Sequence, residues 1–241
     1  MKFIKKYKSP NFNTRQKTII PKYIILHYTA MNSSLQALKY LCDANNRVSS
    51  HFLISKSGKI YELVDIKYRA WHAGLSYWKK NKDINSNSIG IEIDNSGHHL
   101  LFEEYPDKQI NELKKLIIFL KKNYHIEDFN ILGHSDISPY RKIDPGEKLP
   151  WGKILNIKSE NNLKFKNTKD NITNEINFKR KALFLLSEIG YDIARAKKNK
   201  ENFILLIKAY QMHYRQGLVN GRLDLETFQI IQNHYNELLT F

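Results

Sequence analysis

The chain has 241 residues, enough for one large domain or two ordinary ones. Its 41% hydrophobic and 12% aromatic content excludes a disordered chain, and no apolar run reaches the length of a membrane span, so no transmembrane segment is expected. Lysine and arginine outnumber the acids 39 to 24, a net charge of +15 that suits either anionic surroundings or a solvated surface. The basic residues are scattered and no nucleic-acid motif is present, so no specific nucleic-acid partner is expected.

The start, MKFIKKYKSPNF, has positive charge but no apolar core of a leader, so no secretion signal is expected from it. YIILH reads as a buried strand that ends with His27 at the sheet's edge. SSLQALKYLCDAN reads as a short helix in which Cys42, the one cysteine, is a small apolar filler; a single cysteine excludes an internal disulfide. HFLISKSGKIYELV reads as a hairpin turning at Ser57-Gly58. In SIGIEI, alternation sends Glu92 to the face opposite Ile91 and Ile93, and a carboxylate in so apolar a run needs a partner or a cavity.

Pro106-Asp107 opens a helix with Ile110, Leu113, Leu116, Ile117, Leu120 and Tyr124 at helical spacing. FNIL then leads into GHSDISPYRKIDPG. Mixed strands with helices on their faces predict an α/β or α+β sandwich over residues 1–155, of which α/β, a mixed central sheet flanked by helices, is the expected class. Residues 156–176 are polar, Asn- and Lys-rich and without periodicity, which predicts a linker that the core of 1–155 does not need. Residues 177–241 predict a small three-helix domain. Its stripes are Phe178, Ala182, Leu185 and Ile189; then Phe203, Leu206, Ile207, Tyr210 and Tyr214; then, after an N-cap at Asp224, Phe228, Ile231, Tyr235 and Leu238.

Two imidazoles and a carboxylate, His27, His134 and Asp144, form a set that suits zinc with an open fourth position. His134 and Asp144 are too far apart for one helix face and would have to meet through a loop. Spacing leaves open whether the three converge. A hydrogen-bonded core histidine and an Asp-Pro turn are the alternatives for each residue taken singly.

In the order SPNFNTR, YIILHYTA, VSSHFLISKSGKIYELV, RAWHAG, NSIGIEI and GHSDISPYRKIDPG, residues 9–155 resemble the zinc-dependent N-acetylmuramoyl-L-alanine amidases of the AmpD/AmiD type. These are relatives of phage amidases and animal peptidoglycan-recognition proteins. The resemblance implies one zinc ion per chain, held by His27, His134 and Asp144, with Asp144 standing where many of those relatives carry cysteine. It implies Glu92 as the catalytic glutamate and Lys142 as a group that meets developing negative charge.

Arg69, Trp71 and His72 are expected to border the cleft as substrate-binding residues, the indole on sugar and the guanidinium on a peptide carboxylate. His51 is expected to be structural, Asp136 to accept a hydrogen bond that orients the site, and His98-His99 to be a solvated loop pair. IGYDI, AYQMHYRQG and VNGRLDLETFQIIQ are similar to the three-helix peptidoglycan-binding domain often fused to such enzymes; the alternative is a generic helical appendage that buries the amidase surface or dimerises.

The implied reaction is hydrolysis of the amide between N-acetylmuramic acid, or its 1,6-anhydro form, and L-alanine, with peptidoglycan or a muropeptide as partner. The competing expectation is a non-catalytic peptidoglycan receptor on the same fold. It is disfavoured by the complete ligand set together with Glu92 and Lys142. The appended helices suit a polymer substrate in the cell envelope, whereas the absent leader suits cytoplasmic recycling; the layout resembles the envelope enzymes.

Overall fold

The computed structural model describes residues 1–16, 18–155 and 175–240. The expected linker lies outside the described residues except for its last two positions, which begin a helix. In chain order the strands are β1 (Phe12–Thr14), β2 (Tyr23–Tyr28), β3 (Phe52–Ile54), β4 (Ile60–Glu62), β5 (Tyr68–Ala70), β6 (Ser88–Ile93) and β7 (Ile131–Gly133). The helices are α1 (Ser34–Leu41), α2 (Ile84–Asn87), α3 (Asp107–Tyr124), α4 (His134–Ile137), α5 (Trp151–Leu155), α6 (Glu175–Ile189), α7 (Lys200–Tyr214) and α8 (Leu225–Leu238). The chain is therefore α/β, a mixed sheet flanked by helices with further helices at the C-terminus.

The central sheet runs β4-β3-β6-β2-β7, and β1 pairs with β5 in a separate ribbon. Strands β3, β6, β2 and β7 are parallel, while β4 returns antiparallel to β3. β2 is internal, flanked by β6 and β7, rather than at the sheet's edge. A strand buried on both faces needs the near-continuous apolar run that YIIL provides.

One face packs on α3 and α5. Ile24, Leu26, Ile89, Ile91, Ile93 and Ile131 meet Ile110, Leu113, Leu116, Ile117 and Leu120, with Trp151 and Ile154 beside them. α3 starts directly after Pro106, and its last turn closes at His125 in the left-handed region. The other face is covered in two places. Near β3, Leu53 packs with Ala37, Leu38 and Leu41 of α1, whose start is capped by Ser33 accepting from Gln36 N–H. Near β2 and β7, Tyr23, Ile25 and Leu132 pack with Leu183, Leu186 and Ile189 of α6, Leu206 and Tyr210 of α7, and Ile231 of α8. Trp78, Ile84 and Ile137 belong to the same cluster. The C-terminal helices thus share a continuous core with the sheet rather than closing one among themselves alone. Among the described residues no helix is long and apolar enough to cross a membrane.

Candidate active site

The site forms at the carboxyl ends of the parallel strands, where side chains can face a cleft. His27 on β2 is in register with Glu92 on β6, so both point to the same face. Leu26 is in register with Gly133, the last residue of β7, and His134 follows immediately. The chain then makes the turn α4 and a loop back to Asp144, closed by Ser135 N–H donating to Asp144 O at 2.9 Å. Gly133 is needed there, because a Cβ would stand 2.9 Å from Pro145 Cδ.

Three side chains converge: His27 Nδ1 and His134 Nδ1 are 2.9 Å apart, and each is 3.0 Å from Asp144 Oδ2. All three residues are buried, at 2%, 4% and 7% exposure. The far ring nitrogens fix the tautomers. His134 Nε2–H donates to Ala73 O at 3.1 Å. His27 Nε2–H donates to His72 Nδ1 at 3.0 Å, His72 Nε2–H to Ser88 Oγ at 3.2 Å, and Ser88 Oγ–H to Ile84 O at 2.6 Å. Each relay ends on a carbonyl, so both Nδ1 atoms carry lone pairs that face the carboxylate. Three acceptors aimed at one point, with no proton among them, is the electrostatic requirement of a cation.

Burial, reinforced by the neighbouring His134, lowers the His27 pKa to about 4 against the partial opposition of Asp144. Burial drives His72 well below its ordinary value, with His27 adding to it. For Asp144, burial works upward but the two imidazoles beside it win, holding the carboxyl well below the ordinary range. His27 is therefore held as a neutral imidazole and Asp144 as a carboxylate.

A cleft of about 370 Å³ opens over these atoms, with Glu92, Lys142, Arg141 and His99 in its wall and Tyr40 and Leu41 of α1 on one side. Glu92 Oε2 is buried and has no hydrogen-bond partner among the described residues. Burial first and Asp144 second raise the Glu92 pKa well above the ordinary carboxylate value, against Lys142. Such a carboxylate binds a proton readily and can hand it on. Lys142 is half-buried in the cleft wall, two residues before Asp144. Arg141 is fixed by donating from Nη2 to Ala73 O and Leu75 O.

The structure brings His72 to the cleft, but as the partner of His27 and 94% covered rather than as an open sugar contact. It stacks over Gly90 so closely that a Cβ there would meet its ring at 2.5 Å. Arg69 and Trp71 are not brought to the cleft. Arg69 donates to Asp83 Oδ1 and Ser86 Oγ, and both residues reach Asn13 Oδ1 on the β1–β5 ribbon. His51 sits under the sheet, accepting from Gly90 N–H at 3.0 Å and donating to Tyr68 O at 3.1 Å, beside Arg15. Of the loop pair, His99 is exposed, whereas His98 is half-buried: its ring stacks on Phe102 at 4.1 Å and its Nε2 meets Glu147 at 3.0 Å.

Sequence reasoning missed the His27–His72–Ser88 relay, whose one signal is a glycine inside an otherwise apolar strand.

Residues 15–147 match the family model described as N-acetylmuramoyl-L-alanine amidase. The chain is 33% identical to the N-acetylmuramoyl-L-alanine amidase AmiD of Escherichia coli over 242 residues, spanning 88% of this chain and 81% of that one. It is 40% identical to the 1,6-anhydro-N-acetylmuramyl-L-alanine amidase AmpD of Haemophilus influenzae over 110 residues, 45% of this chain and 58% of that one. In structure it is similar to AmiD in complex with anhydro-N-acetylmuramic acid-L-Ala-D-γ-Glu-L-Lys, with a TM-score of 0.75 at 29% identity over 92% of each chain. It is also similar to AmpDh3 of Pseudomonas aeruginosa, with a TM-score of 0.76 at 29% identity over the whole of both chains. The residues matched by the model run from the buried Arg15 to just past Asp144 and so enclose the whole converging set: the chain belongs to the N-acetylmuramoyl-L-alanine amidase family.

Proposed function

We propose that this chain hydrolyses the amide bond between N-acetylmuramic acid, or its 1,6-anhydro form, and L-alanine, using one zinc ion held by His27, His134 and Asp144. The donor chemistry fits: ligand atoms about 2.0–2.2 Å from a shared tetrahedral zinc lie roughly 3.3 Å from one another, and the three atoms here stand 2.9–3.0 Å apart. Bound zinc with three protein ligands lowers the pKa of a water in its open position and polarises a carbonyl.

The chain's own groups do the rest. Glu92 takes the proton of the attacking water at its unpartnered Oε2 as the new C–O bond forms. Lys142 faces the negative charge gathering on the carbonyl oxygen. Glu92 then returns the proton to the departing alanine nitrogen as the C–N bond breaks, a transfer its raised proton affinity favours. The relay from His27 to Ile84 O keeps the Nδ1 lone pair aimed inward through the cycle.

The observation that carries this reading is the convergence of two lone-pair nitrogens and one carboxylate beside Glu92, whose buried Oε2 has no hydrogen-bond partner among the described residues. It is tested by elemental analysis and by mass spectrometry of products from a muramoyl-peptide. One zinc per chain and release of the peptide at its L-alanine are expected; zinc held at full stoichiometry by His134→Ala would sink the ligand assignment. Feeding intact sacculi and anhydro-muropeptides in parallel tells polymer from fragment.

Residues 177–241 are taken as a wall-attachment unit and the envelope as the location, a reading that rests on the appended helices and their basic surface. A groove on α6 lined by Lys179, Arg180, Phe184 and Lys197 offers basic and aromatic contacts for an anionic polymer. Charge reversal at Lys179 and Arg180 should weaken co-sedimentation with sacculi at matched salt, and unchanged sedimentation would remove that role.

A further inference from the structure

The turn that carries His134 is anchored by a carboxylate whose donors come largely from another part of the chain. Asp136 is fully buried. Its Oδ2 accepts from Gly133 N–H at 2.7 Å, which closes the first turn of α4 around His134. The same Oδ2 accepts from His213 Nδ1–H at 2.7 Å, and Oδ1 accepts from Tyr191 O–H at 2.6 Å. Gly133 belongs to the sheet, but Tyr191 and His213 belong to the C-terminal helical unit.

A buried carboxylate is tolerated only when its oxygens are hydrogen-bonded. Among the described residues, 1–155 supply one hydrogen bond to the Asp136 carboxylate, from a backbone N–H, and the helical unit supplies two, both from side chains. Both donors are themselves held. His213 is stacked between Trp151, at 3.6 Å between ring centres, and Tyr214, at 3.9 Å. Tyr191 is 1% exposed and meets Trp78 edge-on at 4.8 Å.

The same loop is held at further points from the same side. Tyr140 O–H donates to Asp192 O and accepts from Ala196 N–H, and Gln216 Nε2 donates to Glu147 O and Leu149 O. His134, Lys142 and Asp144 all lie on this loop.

We propose that Tyr191 and His213 are positioning residues of the hydrolytic site, acting through Asp136 to fix the turn that presents His134, so that the helical unit completes the metal site. This rests on the reading of His27, His134 and Asp144 as metal ligands. Without the two donors, Asp136 turns toward water, Gly133 N–H loses its acceptor, and the His134 ring loses its fixed direction. Partners one step behind a metal ligand typically set affinity or activity by about 10- to 100-fold.

The test uses the full-length protein and four variants: Tyr191→Phe, His213→Phe and the double variant, the phenyl rings keeping the stacking and removing only the donors, and His213→Asn as the rescue. Zinc affinity is measured by competition with a chelator, geometry by the visible spectrum of the Co²⁺-substituted protein, and turnover with a muramoyl-peptide. The double variant is expected to bind zinc about 10- to 100-fold more weakly, to shift the Co²⁺ spectrum, and to lose kcat with KM nearly unchanged. His213→Asn should recover most of the affinity, because its amide nitrogen is bonded to Cγ as Nδ1 is.

A folded double variant with parental zinc affinity, spectrum and kcat overturns the proposal. If the double variant does not fold, Tyr191→Phe alone decides, since it deletes a single oxygen: weakened zinc binding supports the proposal and unchanged binding overturns it. A parent chain that binds no zinc overturns the ligand reading and this proposal together, and is told apart from the other failures by that measurement alone.

Discussion

Beneath α3, Ile24, Leu26, Ile89, Ile91 and Ile93 form one continuous apolar layer. The intervening positions of the same two strands are Ile25 and His27 on β2, and Gly90 and Glu92 on β6. The first face is uniform along its length. The second changes from apolar to polar toward the carboxyl ends of the strands, and it is covered in two separate places, by α1 over Leu53 and by α6, α7 and α8 over Ile25 and Leu132. The polar gap between these covers holds His27, His72 and Glu92. One face is thus given over to stability and the other divides its area between stability and chemistry, and the C-terminal helices are what closes the divided face.

The strongest way to break this comparison is to end the chain at residue 155. Tyr23, Ile25, Trp78, Leu132 and Ile137 would then lose their cover. We expect no soluble, cooperatively folded, zinc-loaded product, by size-exclusion chromatography and calorimetry. A monomeric fragment with a sharp transition would mean that the α3 face alone sustains the sheet.

The next effect falls on the polar gap. Glu92→Gln should retain zinc and lose about 10²- to 10⁴-fold in kcat. The sign of the pH dependence follows from the raised Glu92 pKa: the ionised base is lost as pH falls through that raised value, so the acid limb of kcat/KM should lie above the ordinary carboxylate range. A parental profile retained in Glu92→Gln would make Glu92 structural.

Two matched truncations then weigh the faces against each other. Leu116→Ala under the first face and Leu186→Ala under the second both remove fully buried side chains, and each should cost about 2–5 kcal/mol. With Trp151 in the first core and Trp78 in the second, tryptophan fluorescence in urea reports on both. One transition, shifted by either substitution, is expected of a shared core; two transitions, each moved by one substitution, would show two independent units.

Much of this was legible in the sequence, for identifiable reasons. α3 announced itself because Ile110, Leu113, Leu116, Ile117 and Leu120 fall on one stripe, and the stripe is what buries. The converging ligands were legible only through motif order, since the loop from His134 to Asp144 has no periodicity to read. Arg69 and Trp71 were expected at the cleft because they shortly precede His72 in the chain; β5, which carries Arg69, pairs with β1, and both side chains reach Asn13. The shared core was one of two readings the sequence left open, because the stripes on α6, α7 and α8 suit one another as well as they suit Ile25 and Leu132, and a stripe does not name its partner.

A smaller effect tests the buried histidine beneath the gap. His51 accepts from Gly90 N–H, so a second proton on its ring would face another N–H. Burial, then Arg15, lowers its pKa to about 3 from an ordinary 6.5. Below about 6.5 the unfolded chain takes up a proton that the folded chain refuses, so stability present above that value is lost as pH falls toward about 3. For this one group the loss between about pH 7 and about pH 5 is about 2 kcal/mol. Urea titrations of metal-free protein should show a shallower pH slope in His51→Gln than in the parent, and equal slopes would remove the assignment.

The smallest effect is expected outside both faces. Arg69 spans Asp83 Oδ1 at 3.0 Å, Ser86 Oγ at 2.9 Å and Asn13 Oδ1 at 3.2 Å. The ion pair is partly solvated, with 26% and 56% of the two side chains exposed, so its loss is worth about 0.2–1 kcal/mol. Arg69→Ala should therefore lower the unfolding midpoint slightly and leave kcat/KM for a muramoyl-peptide within about twofold of the parent, a change of roughly 0.4 kcal/mol in the barrier. Because the residue lies three positions before the His72 that backs His27, the measurement separates chain proximity from spatial proximity. A tenfold rise in KM would mean that the β1–β5 ribbon reaches the substrate after all, and that the divided face extends beyond the gap between α1 and the C-terminal helices.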